Sequence, residues 1–155
     1  LQDSSLVAQT VGRTRRMTVA APALLAGRVV RRPADLDRLP RVDFFYPSSG
    51  RLRPWYFERD GVREERPPDA RLSIGSAEAL VDAAVQGLGV VQTLDFLVAD
   101  ALRAGRLVRL LEPWETPGPP IAVVVPSGRF VSARVRAFTA FVRDALRAHV
   151  AAGPG

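Results

Sequence analysis

The chain has 155 residues, 47% of them hydrophobic, which is enough to bury the core of one domain or of two small lobes. Its formal net charge is +6, and every lysine-or-arginine position is an arginine. The arginines are interleaved with acidic residues, as in YFERDGVREERPPDARL, which predicts a solvated mixed surface rather than a nucleic-acid patch. Cysteine is absent, which excludes disulfides, thiolate metal ligands and a cysteine nucleophile.

The sequence gives no sign of membrane insertion. No apolar run approaches the roughly 20 residues of a membrane span, and the first residues, LQDSSLVAQT, lack the charged start and apolar run of a signal peptide. Because the chain begins with leucine rather than methionine, we expect it to be a piece of a longer protein.

The first half of the chain predicts short strands, turns and little helix. RRMTVAAP is typical of a strand stopped by Pro22, ALLAGR of one or two helical turns, and RRPADLDRLPRV of a short helix started by proline. VDFFYP and RPWYFER are aromatic-rich runs separated by SSGRL, and we expect them to form a strand pair. REERPPDA is predicted to be a polar connection without regular structure, because of its two prolines.

The stretch LSIGSAEALVDAAVQGLGVV, residues 72–91, predicts a strand, a helix and a second strand. Apolar residues recur at helical spacing from Ala77 to Leu88, and Ser76 can accept a hydrogen bond from a free backbone N–H of the first turn. Gly87 and Gly89 end the helix, and VVQT continues as a strand. We therefore expect a βαβ unit whose two strands lie parallel and adjacent.

The second half alternates in the same way. LDFLVADALRAG predicts a helix that ends at glycine, RLVRLLEPW an extended segment and ETPGPP a linker. IAVVVP is fully apolar, as in strands that are buried on both faces. A long helix follows, and one stripe of it comprises Val135, Phe138, Val142, Ala145 and His149. The repeated alternation of strands and helices predicts an α/β fold.

The sequence offers no anchor for catalysis. His149 is the only histidine, and without a second histidine or a cysteine the usual zinc sites cannot be assembled. No G-x-S-x-G elbow and no Walker A pattern occur, and GLGVV follows a helix where a dinucleotide loop would follow a strand. The nearest carboxylate pairs, Asp95 with Asp100 and Glu64 with Glu65, lie on polar helix faces or loops. We therefore predict no enzyme, no cofactor and no bound metal.

A binding site is best placed at the predicted βαβ unit. In open parallel sheets, ligands tend to bind at the carboxyl ends of strands, against helix N-termini that favour anions. Gly75 would let a ligand approach the backbone, and Ser76 offers a hydroxyl. Gln92 and Thr93 would add polar groups at the same edge of the sheet. An ordinary helix cap and turn explains each of these residues equally well.

Several motifs in one order resemble the effector-binding domain of LysR-type transcriptional regulators. In that family, a strand ending in alanine-serine-proline precedes a helix start with glutamate-alanine-leucine, a glycine-leucine-glycine turn and an aspartate-phenylalanine-leucine step. The matching positions here are Ala21-Pro22, Glu78-Ala79-Leu80, Gly87-Leu88-Gly89 and Asp95-Phe96-Leu97. PSGRFVSARVRAFTAFV is similar to the family's closing helix, so the resemblance extends over nearly the whole chain.

The resemblance implies a two-lobed α/β fold like that of type II periplasmic binding proteins, with an effector in the cleft between the lobes. Residues 1–21 and 121–155 would form part of the first lobe, with RRMTVAA and IAVVVP as the crossing strands, and residues 22–120 would form a complete second lobe. The helix-turn-helix that such regulators use on DNA is not in this sequence, so we expect no operator binding by this chain.

The predicted function is therefore a non-enzymatic, cytoplasmic sensing domain in which a small effector shifts the population of lobe arrangements and so changes dimer geometry. The apolar stripe of the last helix is expected to recruit the second chain. Where the family has asparagine and aspartate this chain has Gly75 and Ser76, and loss of that acid would suit an anionic effector. The predicted ligand-binding residues are Ala21, Phe45, Tyr46, Gly75, Ser76, Gln92 and Thr93. A solute-binding protein of a transport system, with the same fold, is the alternative.

Overall fold

A computed structural model describes residues 6–69, 71–126 and 133–151 of the chain. These residues form two compact units. The central unit comprises residues 15–69 and 71–117, and the terminal unit comprises residues 6–14, 118–126 and 133–151. In the described ranges, no helix is long and apolar enough to cross a membrane.

Strands and helices alternate along the chain, as expected for an α/β fold. The strands are β1 (Leu6–Gly12), β2 (Arg15–Ala20), β3 (Val42–Phe44), β4 (Trp55–Arg59), β5 (Val62–Arg66), β6 (Leu72–Ile74), β7 (Val91–Leu94), β8 (Val108–Leu110), β9 (Thr116–Pro117) and β10 (Ile121–Pro126). The α-helices are α1 (Pro22–Leu25), α2 (Ala77–Val85), α3 (Asp95–Arg103) and α4 (Ala133–Ala151). Two short 3-10 helices span Pro33–Arg38 and Glu112–Trp114.

In the terminal unit, β1 pairs antiparallel with β10, and α4 packs against β1. The hydroxyl of Thr14 donates to the Pro119 carbonyl at 2.7 Å, and the Gly118 N–H donates to the Thr14 carbonyl at 2.8 Å. Burial of β10 on both faces, expected from its apolar sequence, is wrong for the residues described. Val124 is 56% exposed, because β1 is the only strand that pairs with β10 in the described ranges.

In the central unit, β2 lies in the middle of the sheet. It pairs antiparallel with β7 on one side and with β8 and β9 on the other. β3 pairs parallel with β6, and a parallel bridge between Arg41 and Val90 joins β3 to β7. The strand order is therefore β6, β3, β7, β2, followed by β8 and β9. β2 packs within the central unit through these pairings, although the resemblance places it as a crossing strand.

Two of the predicted strand pairings are wrong. β6 and β7 flank α2 in sequence but are not adjacent, because β3 lies between them. β3 and β4 share only a single bridge, between Phe45 and Leu52, and β4 instead forms a hairpin with β5. This hairpin buries Trp55 and Phe57 of β4, whereas the residues REER, predicted to be irregular, form most of its charged outer strand. The helix α2 and its Ser76 cap are confirmed.

The central sheet is covered on both faces, and neighbouring residues of one strand enter different cores. Val19 and Val91 pack with side chains of α2 and α3, whereas Ala20 and Val90 pack with side chains of β4. All four residues are fully buried. A strand buried on both faces needs apolar residues at successive positions, which explains the nearly continuous apolar runs of β2 and β7.

Gly89 allows the close approach of β3 to β7. A Cβ atom at this position would lie 2.9 Å from the Pro40 carbonyl oxygen and 3.0 Å from the Arg41 carbonyl carbon. Both are backbone atoms, and the Pro40 oxygen is held by a hydrogen bond from the Val90 N–H at 2.8 Å. The backbone therefore has to shift before any larger residue fits.

We expect Gly89→Ala to destabilise the chain by about 1–3 kcal/mol, because overpacking displaces the bridge between β3 and β7. Urea unfolding followed by circular dichroism measures the difference. Ser73→Ala, at an exposed position of β6, is the control and is expected to change stability by less than about 0.5 kcal/mol. Equal stabilities for the two variants would contradict the packing described for Gly89.

Candidate functional site

The strands of the central unit bring four of the predicted ligand-binding residues to one edge of the sheet. β3, β6 and β7 run parallel, so their carboxyl ends meet at the same edge, and β2 begins there because it is antiparallel to β7. Phe45 and Tyr46 follow β3, and Gly75 and Ser76 follow β6. We call the surface formed by these four residues the aromatic edge.

At the aromatic edge, the ring of Phe45 lies directly against Gly75. A Cβ atom at position 75 would lie 2.6 Å from Cζ of Phe45, which is closer than any real contact. The Phe45 N–H also donates to the Ile74 carbonyl at 3.1 Å, which fixes the backbone beneath the ring. The space that the sequence assigned to a ligand near the Gly75 Cα is thus occupied by an aromatic side chain of the protein itself.

Tyr46 is the more accessible of the two aromatic residues. Its side chain is 43% exposed, and its ring meets that of Phe44 edge to face, with 5.6 Å between the ring centroids. The Tyr46 backbone closes a turn, because its carbonyl accepts hydrogen bonds from the N–H groups of Ser49 and Gly50. The phenol therefore projects from a fixed base, available to a partner molecule.

The hydroxyl of Ser76 is already engaged within the protein. It accepts a hydrogen bond from the Ala79 N–H at 3.2 Å, as predicted for a helix cap, and donates to the Glu78 carboxylate at 2.9 Å. Hydrogen bonds from its own backbone N–H and from Ser76 hold the pKa of Glu78 below its usual range. Ser76 thus begins α2 as predicted, and its hydroxyl is engaged within the protein, while its contact with a ligand stays a prediction.

Gln92 has a structural role rather than the ligand contact that we expected. The side chain is 2% exposed and points to the β4 face of the sheet. Its amide accepts from the Tyr56 N–H at 3.0 Å and donates to the Tyr56 carbonyl at 2.9 Å, as a neighbouring strand would. Both polar groups of Gln92 are therefore occupied by the backbone of β4.

Thr93 and Ala21 also expose almost nothing of their side chains at the aromatic edge. Successive residues of a strand point to opposite faces, so Thr93 faces α2 and α3 while Gln92 faces β4, and Thr93 is only 2% exposed. Ala21 follows the carboxyl end of β2, and because β2 is antiparallel to β7 this end lies at the opposite edge of the sheet. Ala21 is therefore separated from the aromatic edge, whereas Gln92 and Thr93 lie near the carboxyl end of β7 at that edge with their side chains buried.

Arg53, which sequence analysis did not select, lies beside the aromatic edge. Its backbone N–H donates to the Phe44 carbonyl at 2.8 Å, and its guanidinium lies 5.1 Å from the centre of the Phe44 ring and donates to the Gln92 carbonyl. Burial, followed by repulsion from Arg16, lowers the pKa of Arg53 from its usual value. Within the described part of the chain, no carboxylate lies within 4.0 Å of this guanidinium.

Arg16 is a second arginine without a carboxylate partner among the described residues. Its guanidinium lies 5.3 Å from the centre of the Tyr56 ring and donates to the Pro117 carbonyl at 2.7 Å. The Nε atoms of Arg16 and Arg53, and the hydroxyl of Thr116, are buried and make no hydrogen bond within the described ranges. Unsatisfied buried donors are costly, which makes these three groups candidates for contact with a ligand.

Two arginines in neighbouring strands, Arg15 and Arg109, differ because both pair with one carboxylate. Arg109 binds the carboxylate of Glu115 through two hydrogen bonds of 2.6 and 2.7 Å, and Arg15 donates to the same carboxylate at 3.2 Å. The Glu115 side chain is only 1% exposed, and its hydrogen bonds raise the pKa of Arg109. Arg16 and Arg53 differ from these two arginines because they have no carboxylate within 4.0 Å among the described residues and a buried Nε that makes no hydrogen bond there.

A signal for the two unpaired arginines was present in the sequence. Arg16 lies in a stretch without acids, residues 4–34, and Arg53 lies in another, residues 44–57. Averaging the charge over the whole chain concealed both stretches. Among the described residues, no group of three or more histidine, cysteine, aspartate or glutamate side chains could hold a metal ion.

The sequence comparisons agree with one another. The family description that matches residues 1–147 is the LysR substrate binding domain. Among curated proteins, the chain is 35% identical over 146 residues to the HTH-type transcriptional regulator PtxR of Pseudomonas aeruginosa. The match covers 94% of this chain and 46% of that protein, so the chain spans about half the length of the curated relatives it matches.

Regulatory domains are among the solved structures that match. The regulatory domain of CrgA, a LysR-type transcriptional regulator from Neisseria meningitidis, is 26% identical with a TM-score of 0.76, covering 94% of this chain and 71% of that one. The regulatory domain of AphB from Vibrio vulnificus is 22% identical with a TM-score of 0.73, covering 92% of this chain and 70% of that one. The AphB likeness supports the fold alone.

Gln92→Leu is expected to destabilise the chain by about 2–4 kcal/mol, because it leaves the N–H and carbonyl of Tyr56 buried without partners. Gln86→Leu, at an exposed position after α2, is the matched control and should change stability by less than about 0.5 kcal/mol. Thermal and urea unfolding measure both. A Gln92→Leu variant as stable as the control would contradict the structural role of this side chain.

Proposed function

We propose a ligand-sensing role for this chain, which belongs to the family of LysR substrate-binding domains. It is the effector-binding domain of a LysR-type transcriptional regulator. The curated relatives are transcriptional regulators, so the alternative of a solute-binding protein for transport is not supported. We propose further that the domain acts by binding alone, without catalysis, in the cytoplasm.

We propose that the effector is a small organic anion bound at the aromatic edge beside Arg53. The observation that carries this proposal is the Arg53 guanidinium, which has no carboxylate within 4.0 Å in the described part of the chain. A ligand carboxylate would supply the charge-assisted hydrogen bonds that this group lacks. The rings of Phe45 and Tyr46 would cover the apolar part of the same ligand.

The physical origin of the anion preference differs from the one expected from sequence. We expected the free N-terminus of α2 to favour an anion because the family's aspartate is absent there. The Ser76 hydroxyl and the Glu78 carboxylate are hydrogen-bonded to each other at that position, however, so the helix start already carries a negative charge. Arg53 supplies the positive charge that favours an anion instead.

The regulatory response requires a difference in affinity between two arrangements of the protein. A ligand that binds both arrangements equally well shifts no population, however tightly it binds. We propose that effector binding changes the geometry of paired copies, and that operator DNA is bound by a helix-turn-helix outside the residues matched here. The name of PtxR as an HTH-type regulator and its greater length support this proposal.

Pairing of two copies is proposed to use α4. This helix turns Thr139 inward, where it is 6% exposed, and leaves Phe138 and Phe141 outward at 65% and 70% exposed. Large aromatic side chains on one exposed helix face favour association with a matching apolar surface. We propose that the matching surface is that of a second copy of this chain.

Arg53→Gln is expected to weaken binding of a small carboxylate about tenfold or more, because a hydrogen bond to a charged group contributes about 1.5–3 kcal/mol. Isothermal titration calorimetry on the whole chain would use benzoate and succinate as probes, with benzamide and succinamide as neutral analogues. Arg53→Lys, which keeps the charge, should retain part of the affinity. Benzamide and succinamide binding as tightly as benzoate and succinate would contradict the proposal of an anionic effector.

The control for charge is Arg103→Gln, which removes the same charge from an exposed side chain at the end of α3. It should leave carboxylate binding unchanged. If Arg103→Gln and Arg53→Gln weaken binding equally, the effect comes from net charge and not from a site beside the aromatic edge.

The double variant Phe138→Glu, Phe141→Glu is expected to shift the chain from dimer toward monomer in analytical ultracentrifugation, because it places two charges on the proposed apolar contact. Ala140→Glu, at an exposed position on another side of α4, is the control and should leave the dimer intact. An unaltered chain that sediments as a monomer at high concentration would overturn the proposal.

A further inference from the structure

A pocket of about 360 Å³ lies in the central unit between the amino end of β2, β9 and the β4–β5 hairpin. We call it the hairpin pocket, and its lining residues are Arg16, Tyr56, Phe57, Glu58, Arg63, Glu64, Glu65, Thr116 and Pro117. It shares no residue with the aromatic edge and does not include Arg53. Its volume falls within the roughly 300–1,000 Å³ range of small-molecule sites.

One end of the hairpin pocket is positively charged and short of hydrogen-bond partners. Arg16 has no carboxylate within 4.0 Å among the described residues, and its buried Nε makes no hydrogen bond there. The Thr116 side chain is 7% exposed, and its hydroxyl also makes no hydrogen bond within these ranges. A guanidinium beside an unpaired hydroxyl is suited to a carboxylate, which accepts hydrogen bonds from both.

The other end of the hairpin pocket is acidic. Glu58 is paired with Arg63 at 2.8 Å, and Glu64 lies 3.4 Å from Arg66. Glu65 differs, since it has no cationic partner within 4.0 Å in the part of the chain that the structure describes. This carboxylate is therefore free to bind an ammonium group.

Tyr56 is next to Arg16 and is the register partner of Glu65. In the antiparallel pairing of β4 and β5, Tyr56 lies directly opposite Glu65, and opposite residues place their side chains on the same face. The same ring has the Arg16 guanidinium at 5.3 Å from its centre. Tyr56 thus provides an apolar surface that contacts the Arg16 cation and lies on the same face of the hairpin as the Glu65 carboxylate.

We infer that the hairpin pocket binds a small zwitterionic amino acid, with its carboxylate toward Arg16 and Thr116, its ammonium toward Glu65, and its side chain on the apolar lining. The charge pattern selects this class. A ligand carrying only negative charge would face the hairpin carboxylates, and a ligand carrying only positive charge would face Arg16. The pocket would give the domain a second input, independent of the aromatic edge.

The test is a titration of the whole chain with L-leucine and with two analogues that each lack one charge. Isocaproate lacks the ammonium group and isoamylamine lacks the carboxylate. Heteronuclear NMR would show L-leucine perturbing the backbone signals of β4, β5 and β9, and both analogues binding at least about tenfold more weakly. If isocaproate binds as tightly as L-leucine, or if no standard amino acid binds saturably, the inference is overturned.

Substitutions test the contact with the ligand carboxylate and the contact with its ammonium group separately. Arg16→Gln and Glu65→Gln are each expected to weaken L-leucine binding about tenfold or more, whereas Arg103→Gln should have no effect. Thr116→Val removes the hydroxyl at constant shape and should weaken binding several-fold. Glu65 is exposed on β5, so its replacement leaves the fold intact and keeps the test decisive even if Arg16→Gln proves unstable.

Arg53→Gln separates this inference from the proposed function. It should reduce the binding of benzoate and succinate and leave L-leucine binding largely unchanged. Loss of benzoate binding alone identifies the aromatic edge as a separate site, whereas equal loss of both ligands would contradict two independent sites.

Discussion

Both candidate ligand sites depend on one interaction, the pairing of the Gln92 side-chain amide with the backbone of Tyr56. β4 makes no strand pairing with the central sheet in the described ranges, and this amide replaces such pairing with two hydrogen bonds of 3.0 and 2.9 Å. Burial of Trp55 completes the attachment, because its indole N–H donates to the buried carboxylate of Asp43 at 2.7 Å. The position of β4 then fixes Arg53, two residues before the strand, and Tyr56 at the floor of the hairpin pocket.

The positions of the charged residues say more about ligand binding than the net charge does. A net charge of +6 does not tell which arginines lie beside an acid and which do not. Glu115, for example, is almost fully buried, and Arg15 and Arg109 neutralise it from two strands and leave no capacity for a ligand. Arg16 and Arg53 lie in the same unit without a carboxylate within 4.0 Å among the described residues, although the more distant Asp43 partly offsets the positive charge of Arg53. In this proposal, the domain recognises a ligand through arginines that have no carboxylate close to them.

Local patterns in the sequence predicted most elements but not how they pair. The helices α2 and α3 and the Ser76 cap follow from apolar spacing and from hydrogen bonds within a few residues, which sequence records directly. The insertion of β3 between β6 and β7 is a long-range choice, and no local signal encodes it. This strand order determines which residues meet at the candidate site. It brought Phe45 against Gly75, where a ligand was expected, and it enclosed Gln92 and Thr93, whose polar side chains were expected to be open to a ligand. Arg53 was missed because it stands out by having no carboxylate within 4.0 Å among the described residues. A sequence does not show which side chains will lie near each other.

The outer strand of the hairpin has a consequence for the behaviour of the chain in solution. β5 pairs with β4 alone among the described strands, so one row of its backbone amides and carbonyls is open to another molecule. Four of its five residues are charged, and charged side chains on such a border oppose sheet growth between molecules. The charges of VREER therefore disfavour edge-to-edge pairing of this strand with another sheet.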